Sequence, residues 1–142
     1  MKFQKLVVLI LCVSLSSFGY SQISITSYSI YALGINTSKD KKITGELKLF
    51  LNENVDNLGA EINGFYNFTK HDYHRLSLGL GVGLYPTSAQ ISDWGIAVPV
   101  QLEVYPLQSF KKLSFVVEIA PSCLFEDMVF SFRHLWGIRY TF

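Results

Sequence analysis

Two histidines and an aspartate lie together in one short segment, where they could hold a metal ion. The segment is His71-Asp72-Tyr73-His74. Zinc takes three or four nitrogen, sulfur or oxygen ligands. An extended loop must bend before side chains three residues apart converge, and no further ligand lies close in the sequence. A solvated hairpin tip is therefore the favoured interpretation, and we predict no metal and no cofactor.

A second candidate chemistry is nucleophilic catalysis by a serine with a histidine as its base. His134 lies on the apolar side of an alternating segment near the end of the sequence. Ser114 and Ser131 lie on the polar side of their segments, so we expect neither hydroxyl to reach the imidazole. The pattern favours a packing or interfacial histidine, and we predict that the protein is not an enzyme.

Charged side chains recur in the middle of alternating segments, always on the polar side. Such a set could be a catalytic acid pair, a transport path or a network of mutual ion pairs. Four members are acidic, four are basic, and they are spread over six segments, which favours a structural network. The eight residues are Glu46, Lys48, Glu61, Arg75, Glu103, Glu118, Arg133 and Arg139.

These residues lie in segments that alternate between apolar and polar side chains, which is the period of a β-strand. In the cleanest one, residues 75–85, leucines and a valine alternate with Arg75, Ser77 and a row of glycines. Turn-forming residues separate the segments, and no sustained helical period appears outside the start of the sequence. The predicted strands are residues 23–35, 43–51, 58–68, 75–85, 96–105, 113–121 and 130–142.

The class of protein depends on which face of these strands meets water. In a soluble sandwich the charged face would be solvated, whereas in a membrane barrel it fills the lumen and the apolar face meets lipid. Balanced charges suit a closed lumen, because an unpaired buried charge is costly. The glycine row Gly79, Gly81 and Gly83 would leave room there for long Arg and Glu side chains. We therefore expect the charged face to point inward.

Aromatic side chains cluster at or near the predicted strand ends, where the two interfaces of a membrane barrel carry girdles of such rings. The fold class predicted is an all-β, antiparallel up-and-down barrel of outer-membrane type. The strand number of such barrels is normally even, so we predict about eight strands. The missing strand lies in residues 86–95 or in a split of the first or sixth segment; an open sheet or association of chains is the alternative. The aromatic residues are Tyr66, Phe68, Tyr85, Trp94, Tyr105, Phe110, Phe125, Phe130, Tyr140 and Phe142.

Residues 1–21 have the pattern of a signal peptide. Lys2 and Lys5 precede an apolar run that is too short for a spanning helix, and small residues lead to a cleavage site between Ser21 and Gln22. Cleavage after Gly19 is the second option. Residues 22–142 then form a single β-barrel domain.

Cleavage would change the charge and the cysteine content of the chain. Basic residues fall from 12 to 10 against 11 acidic ones, because Lys2 and Lys5 leave, so the net charge becomes −1. This balance gives no reason to expect a nucleic acid partner. Cys123 is then the only cysteine, so no intrachain disulfide can form.

Several stretches resemble a group of small, uncharacterised exported proteins of flavobacteria and related Bacteroidetes, which are described as outer-membrane β-barrel-like. The last of these stretches is the most distinctive. The resemblance implies an outer-membrane location and a barrel, and it carries no activity and no site residues. The resembling stretches are residues 43–48, 61–68, 73–81, 99–107 and 133–142.

The sequence thus predicts a structural or interaction protein of the outer membrane, whose lumen is filled by ion pairs. The expected partners are outer-membrane lipid and the outer-membrane assembly machinery, which would recognise the aromatic residue Phe142 on the last strand. Two alternatives remain open. One is a soluble periplasmic barrel whose leucine and valine rows line a cavity for an apolar ligand. The other is a lipid-modifying outer-membrane enzyme.

Overall fold

The computed structural model describes residues 22–29, 31–37, 40–51, 58–86, 92–125 and 128–142, and the predicted signal peptide lies outside these residues. All regular secondary structure in this part of the chain is β-strand. No helix within it is long and apolar enough to cross a membrane. The strands are β1 (Ser24–Tyr28), β2 (Ala32–Asn36), β3 (Ile43–Leu51), β4 (Leu58–Lys70), β5 (His74–Pro86), β6 (Ser92–Ala97), β7 (Val100–Val104), β8 (Leu113–Leu124) and β9 (Val129–Thr141).

The strands form one antiparallel sheet that closes on itself. Neighbours in sequence pair with each other, except β6 with β7, and β1 pairs with β9 from Ser24↔Thr141 to Tyr28↔Gly137. Closure leaves every strand with a partner on both sides over at least part of its length, which removes most of the edge that an open sheet would present. The predicted all-β antiparallel barrel is confirmed.

Two of the nine strands are parts of one wall strand, which gives the barrel eight wall strands. β6 and β7 both pair with β5 on one side and with β8 on the other. They are separated only by Val98 and Pro99, whose backbone still bonds to both neighbours. Val98 N–H donates to Pro121 O at 2.9 Å, and Gly79 N–H donates to Pro99 O at 2.7 Å. Proline lacks an N–H group, so it breaks the ladder here without ending the wall.

The eighth strand comes from a split of the first predicted segment, one of the options that the sequence left open. Residues 23–35 turn back on themselves between β1 and β2, and Tyr31 takes a positive φ of 29° in that turn. The prediction that residues 86–95 form a turn is wrong in part, because β6 begins at Ser92. Asp93 and Gly95 resemble turn residues, but on this wall they lie on the inward face.

The wall is not equally high around the barrel. We call the end that carries Gln22 and Phe142 the lower end and the end that carries the β1–β2 and β8–β9 turns the upper end. β1 and β2 contain 5 residues each, whereas β9 contains 13 and β8 contains 12. The wall is therefore low at the β1–β2 hairpin and high at the β8–β9 hairpin.

The inward glycines of β5 allow close packing inside the barrel. A Cβ on Gly79 would lie 2.8 Å from the Phe65 ring and 2.9 Å from Pro99, and one on Gly81 would overlap the Asn63 amide oxygen. The expectation that this row makes room for Arg and Glu side chains was wrong in its detail. The space is filled chiefly by Phe65, Asn63 and Pro99, and Glu61 also reaches it, with its Cγ 3.4 Å from the position of a Cβ on Gly81.

Candidate functional site: an ionic network inside the barrel

The polar and apolar side chains of this barrel are distributed in the opposite way to those of a soluble domain. Lys48 is 0 % exposed and Arg139 is 1 % exposed, although both carry charge. Ile62 is 69 % exposed and Leu80 is 61 % exposed on the outer face. Alternation along each strand produces this partition, since successive side chains point to opposite faces. The charged rows therefore occupy the interior and the leucine and valine rows cover the outside.

The lower part of the interior is organised around the carboxylate of Glu103 on β7. Arg75 Nη2 lies 2.5 Å and Arg139 Nη1 lies 3.0 Å from Glu103 Oε2, so two guanidinium groups share this oxygen. Ser114 donates a hydrogen bond to the other oxygen at 2.5 Å. Arg139 also donates from Nε to the Thr26 hydroxyl at 2.8 Å. These bonds join β1, β5, β7, β8 and β9 across the lumen.

The centre is organised around a single ammonium group, that of Lys48 on β3. Its Nζ lies 2.6 Å from Glu118 Oε1 on β8, and it also lies 3.7 Å from both Glu46 and Glu61. Tyr28 donates a hydrogen bond to Glu46 at 2.6 Å, which further stabilises the negative charge of that carboxylate. One ammonium group thus contributes to stabilising three buried carboxylates, each of which would be costly without a nearby cation.

The upper part contains a bidentate pair between Arg133 on β9 and Glu61 on β4. Both terminal nitrogens of the guanidinium donate to the two carboxylate oxygens at 2.9 Å, the geometry in which this pair is strongest. Tyr85 donates a further hydrogen bond to Glu61. The Arg133 guanidinium also lies 4.8 Å from the centre of the Phe50 ring, which favours its position over the aromatic face.

Glutamine and glutamate side chains link the three parts into one network. Gln101 donates to Glu118 at 3.0 Å and to the Tyr28 hydroxyl at 3.1 Å, and it accepts from Arg139 Nη2 at 3.0 Å. Each of the four predicted glutamates has a cation within 4.0 Å. Each of these carboxylates therefore has a cation of the protein itself as its partner. The arrangement therefore suits charge compensation within a packed interior better than acid–base catalysis.

The structure brings all eight sequence-predicted site residues into this interior. The sequence did not reveal the neutral partners that complete the network, because Tyr, Gln, Ser and Thr on a polar strand face also occur on solvated sheets. Asp93 was missed for another reason, since it lay in a predicted turn and is buried inside β6. The missed residues are Thr26, Tyr28, Asn63, Tyr85, Asp93, Gln101 and Ser114.

The other candidate sites do not assemble. The His71 and His74 rings lie 5.1 Å apart at the lower end, but Asp72 pairs with Lys111 instead of joining them. No group of three or more potential metal ligands occurs among the described residues. His134 is exposed on the outer face while Ser114 is buried inside, so the wall of the barrel separates them.

Most of the predicted interfacial aromatics lie on the outer surface near the two ends. At the lower end Tyr140 packs against Phe142 with ring centres 5.0 Å apart, and at the upper end Trp94 packs against Phe125 at 5.0 Å. Two members of the predicted set were assigned wrongly. Tyr85 and Tyr105 point inward, because each shares the alternation of the charged row on its strand rather than that of the apolar row.

Comparison with known proteins gives one structural similarity. No protein-family profile matches the chain, and no curated protein matches it in sequence. Among solved structures, the outer membrane protein Ail of Yersinia pestis, determined as a backbone structure in a phospholipid bilayer nanodisc, matches with a TM-score of 0.49 and 17 % identity. The match covers 86 % of this chain and 98 % of Ail. The closure of β1 on β9 and the inside-out distribution of side chains make the chain a small β-barrel of outer-membrane type independently of this similarity.

Proposed function

We propose that this protein resides in the bacterial outer membrane as a structural or interaction protein, after export by residues 1–21 and maturation to residues 22–142. The observation that carries the proposal is the inside-out barrel, with buried ion pairs and an exposed apolar wall. In water, exposed apolar area is unfavourable by about 25 cal/mol per Å². In hydrocarbon the same wall has no such cost, and where the ladder is closed it satisfies the backbone polar groups that lipid cannot.

The longer strands support the same location, whereas β1 and β2, with 5 residues each, are short for it. A transmembrane strand needs roughly 9–11 residues when it is tilted. β4, β5 and β9 contain 13 residues each and β8 contains 12. Aromatic pairs at both ends, such as Tyr140 with Phe142 and Trp94 with Phe125, would lie at the two interfaces of a bilayer. The resemblance to exported proteins of Bacteroidetes agrees with this proposal and adds no activity to it.

The ionic interior favours a closed barrel over a channel. An eight-stranded barrel has an interior just wide enough for side chains. Here Lys48 and Arg133 bind carboxylates from the opposite wall, and Arg139 lies between Glu103, two wall strands away, and Glu46 on β3. We therefore expect the reconstituted protein to conduct no ions, and we assign the network the role of holding the wall strands in register.

The two alternative functions fit the geometry less well. A soluble barrel for an apolar ligand would line its cavity with the leucine and valine rows, but these rows lie outside and the interior is ionic. A lipid-modifying enzyme would need a nucleophile beside His134 on the outer face, and the serines considered for that role lie on the inner side of their strands.

Cell fractionation combined with heat-modifiability tests the proposal. We expect the protein in the outer-membrane fraction, and we expect the unboiled sample to migrate differently from the boiled one in detergent gels, since closed barrels resist unfolding without heat. A periplasmic protein of similar size serves as the fractionation control. Recovery of the folded protein in the aqueous periplasmic fraction without detergent would refute the proposed location.

Recognition of Phe142 by the assembly machinery stays a prediction. Its ring is exposed on the outer face at the lower end and packs edge-on against Tyr140. We expect Phe142→Ser to slow barrel assembly in vivo, whereas Phe68→Ser, an exposed ring on another strand near the same end, should not. Equal assembly rates for both variants would argue against a specific role for Phe142.

A further inference from the structure

The upper part of β9 has a neighbour on only one side among the described residues. β8 accompanies β9 up to Leu124↔Val129. β1 pairs with β9 only as far as Tyr28↔Gly137, and Ser29 N–H adds one bond to Trp136 O at 2.8 Å. At about 3.3 Å per residue, residues 129–135 extend roughly 20 Å beyond the reach of β1. One edge of this extension therefore has no strand beside it in the part of the chain that the structure describes.

The register identifies the backbone groups that face this open edge. In an antiparallel ladder, successive residues direct their N–H and C=O groups to opposite neighbours. Thr141 N–H donates to Lys112 O on the β8 side, whereas Phe142 N–H donates to Ile23 O on the β1 side. Odd-numbered residues of β9 therefore bond toward β8 and even-numbered residues toward β1. The groups at the open edge are those of Phe130, Phe132 and His134.

Within the described ranges, this edge lacks the features that usually prevent strand pairing. Proteins protect exposed edges with lysine, proline, bulges or a covering segment. The outward side chains here are Phe130, which is 83 % exposed, Phe132, which is 67 % exposed, and His134. None is a proline or a lysine. Because lipid cannot satisfy backbone groups, the edge must either stand above the hydrocarbon or receive a strand.

We infer that the upper edge of β9 is a docking site for an extended segment of another polypeptide, which pairs with it by strand addition. The added strand would lie collinear with β1 and run antiparallel to β9, so that it continues an existing ladder. Main-chain hydrogen bonds supply affinity in this mode and alternate side chains supply selectivity. Its outward residues would be apolar, since they lie beside Phe130 and Phe132.

The inner face of the site offers the incoming segment a hydrogen-bond donor on Arg133, whose charge is already paired with Glu61 and Glu118. Arg133 lies between Phe132 and His134 on β9 and points inward. Its side chain is 15 % exposed, more than the side chains of its ion-pair partners Glu61 and Glu118, and its Nε is buried without a hydrogen-bond partner among the described residues. Residues opposite each other on paired strands have Cβ atoms about 5 Å apart. A carboxylate opposite Arg133 would therefore lie within reach of the guanidinium.

A second copy of this chain fits the site less well. Two barrels inserted into one membrane in the same orientation are related by an axis along the membrane normal. Their β9 strands would then run in the same direction, so the antiparallel continuation of the β1 ladder could not form. A segment of a different polypeptide has no such restriction.

Backbone amide exchange with a designed peptide tests the inference on the full chain in phospholipid nanodiscs. The probe is a ten-residue peptide that alternates valine with threonine and carries one glutamate on the threonine face. We expect saturating peptide to slow exchange of the Phe130, Phe132 and His134 amides at least about tenfold, as expected for newly formed hydrogen bonds. The Ser131 and Arg133 amides should change little, because β8 already protects them. The same peptide with its β9-facing amides N-methylated is the control and should have no effect.

A substitution at the edge separates strand addition from binding to the aromatic side chains. Phe132→Pro removes an N–H group on the open side and leaves the bonds to β8 intact. It should weaken peptide binding at least about tenfold, whereas Phe132→Ala should retain binding within about threefold. Replacing the peptide glutamate by glutamine should weaken binding about threefold or more.

Four outcomes would overturn the inference. They are no slowing of exchange at saturating peptide, equal binding to Phe132→Pro and the wild type, slow exchange of all three amides in the free protein, and protection that appears only with two barrels in one disc. The last would identify a second copy as the occupant. None of these measurements depends on where the protein resides in the cell, so they fail or succeed separately from the proposed function.

Discussion

The inner and outer faces of β5 share one backbone but differ in how closely their side chains are specified. On the inner face, Arg75 is buried against Glu103 and the glycines lie against neighbouring side chains. On the outer face, Leu78, Leu80 and Val82 are exposed and need no specific partner. The inner face is specified by pairing and close fit, whereas the outer face is specified only by being apolar. Substitutions on the inner face should therefore cost more, and should depend on the partner that remains.

The largest effect is expected from removing the central cation. Lys48→Met would leave Glu46, Glu61 and Glu118 without their shared ammonium group, and breaking a buried ionic group typically costs about 3–5 kcal/mol. Urea unfolding of the folded barrel in lipid measures this loss. Lys112→Met, at an exposed loop position, is the control and should be neutral. Adding Glu118→Gln to Lys48→Met should recover part of the loss, and its absence would contradict charge compensation as the cause.

A smaller effect is expected from placing a charge on the outer face. Leu80 is the middle residue of β5, and an arginine at the midplane of a bilayer costs roughly 2–4 kcal/mol. We expect Leu80→Arg to destabilise the barrel in lipid by this amount. Leu107→Arg, in the loop before β8, is the control and should be tolerated. If Leu80→Arg were as harmless as the loop variant, the outer face would be solvated and the membrane location would be wrong.

Much of this comparison could be predicted from alternation alone. A period of two assigns each residue of a strand to one of two faces, so the eight ionic residues could be grouped without coordinates. Their pairing could not be predicted. Lys48 on β3 and Glu118 on β8 are 70 residues apart and bond across the lumen, because the stagger of the closed sheet places them at one height. That stagger depends on the pairing of all the strands and cannot be predicted from the sequence of any one strand.

The turn between β1 and β2 and the start of β6 could not be predicted from the sequence, for opposite reasons. Between β1 and β2 the sequence offers no glycine, proline, asparagine or aspartate, yet the chain reverses there with Tyr31 at a positive φ. Before Ile96 the sequence offers serine, aspartate and glycine, yet it forms a strand. Turn residues predict turns poorly on a wall whose inner face itself favours small and polar side chains.

The glycines of the barrel allow the close fit of the inner face to be tested with a matched pair. A Cβ at inward Gly81 would overlap the Asn63 amide, whereas one at outward Gly64 has nothing within 4 Å. Overpacking a close-packed interior typically costs about 1–3 kcal/mol. We expect this loss for Gly81→Ala and no loss for Gly64→Ala, measured by urea unfolding in lipid. Equal unfolding free energies for the two variants would mean that the interior accommodates an added methyl group and is not closely packed at Gly81.

The smallest effect is expected for an ion pair that lies outside the barrel interior. Lys111 Nζ lies 3.0 Å from Asp72 Oδ1 between two loops at the lower end, and both side chains are exposed. Water screens such a pair, so its contribution is typically about 0–1 kcal/mol. A double-mutant cycle of Lys111→Ala and Asp72→Ala should give a coupling energy in this range, which falls further as salt is added. The cycle of Arg75→Met and Glu103→Gln should give a larger coupling that salt barely changes, because Arg75 and Glu103 are buried away from bulk solvent. Coupling of the same size and salt dependence in both cycles would show that the lumen is hydrated, which would remove the reason for pairing its charges.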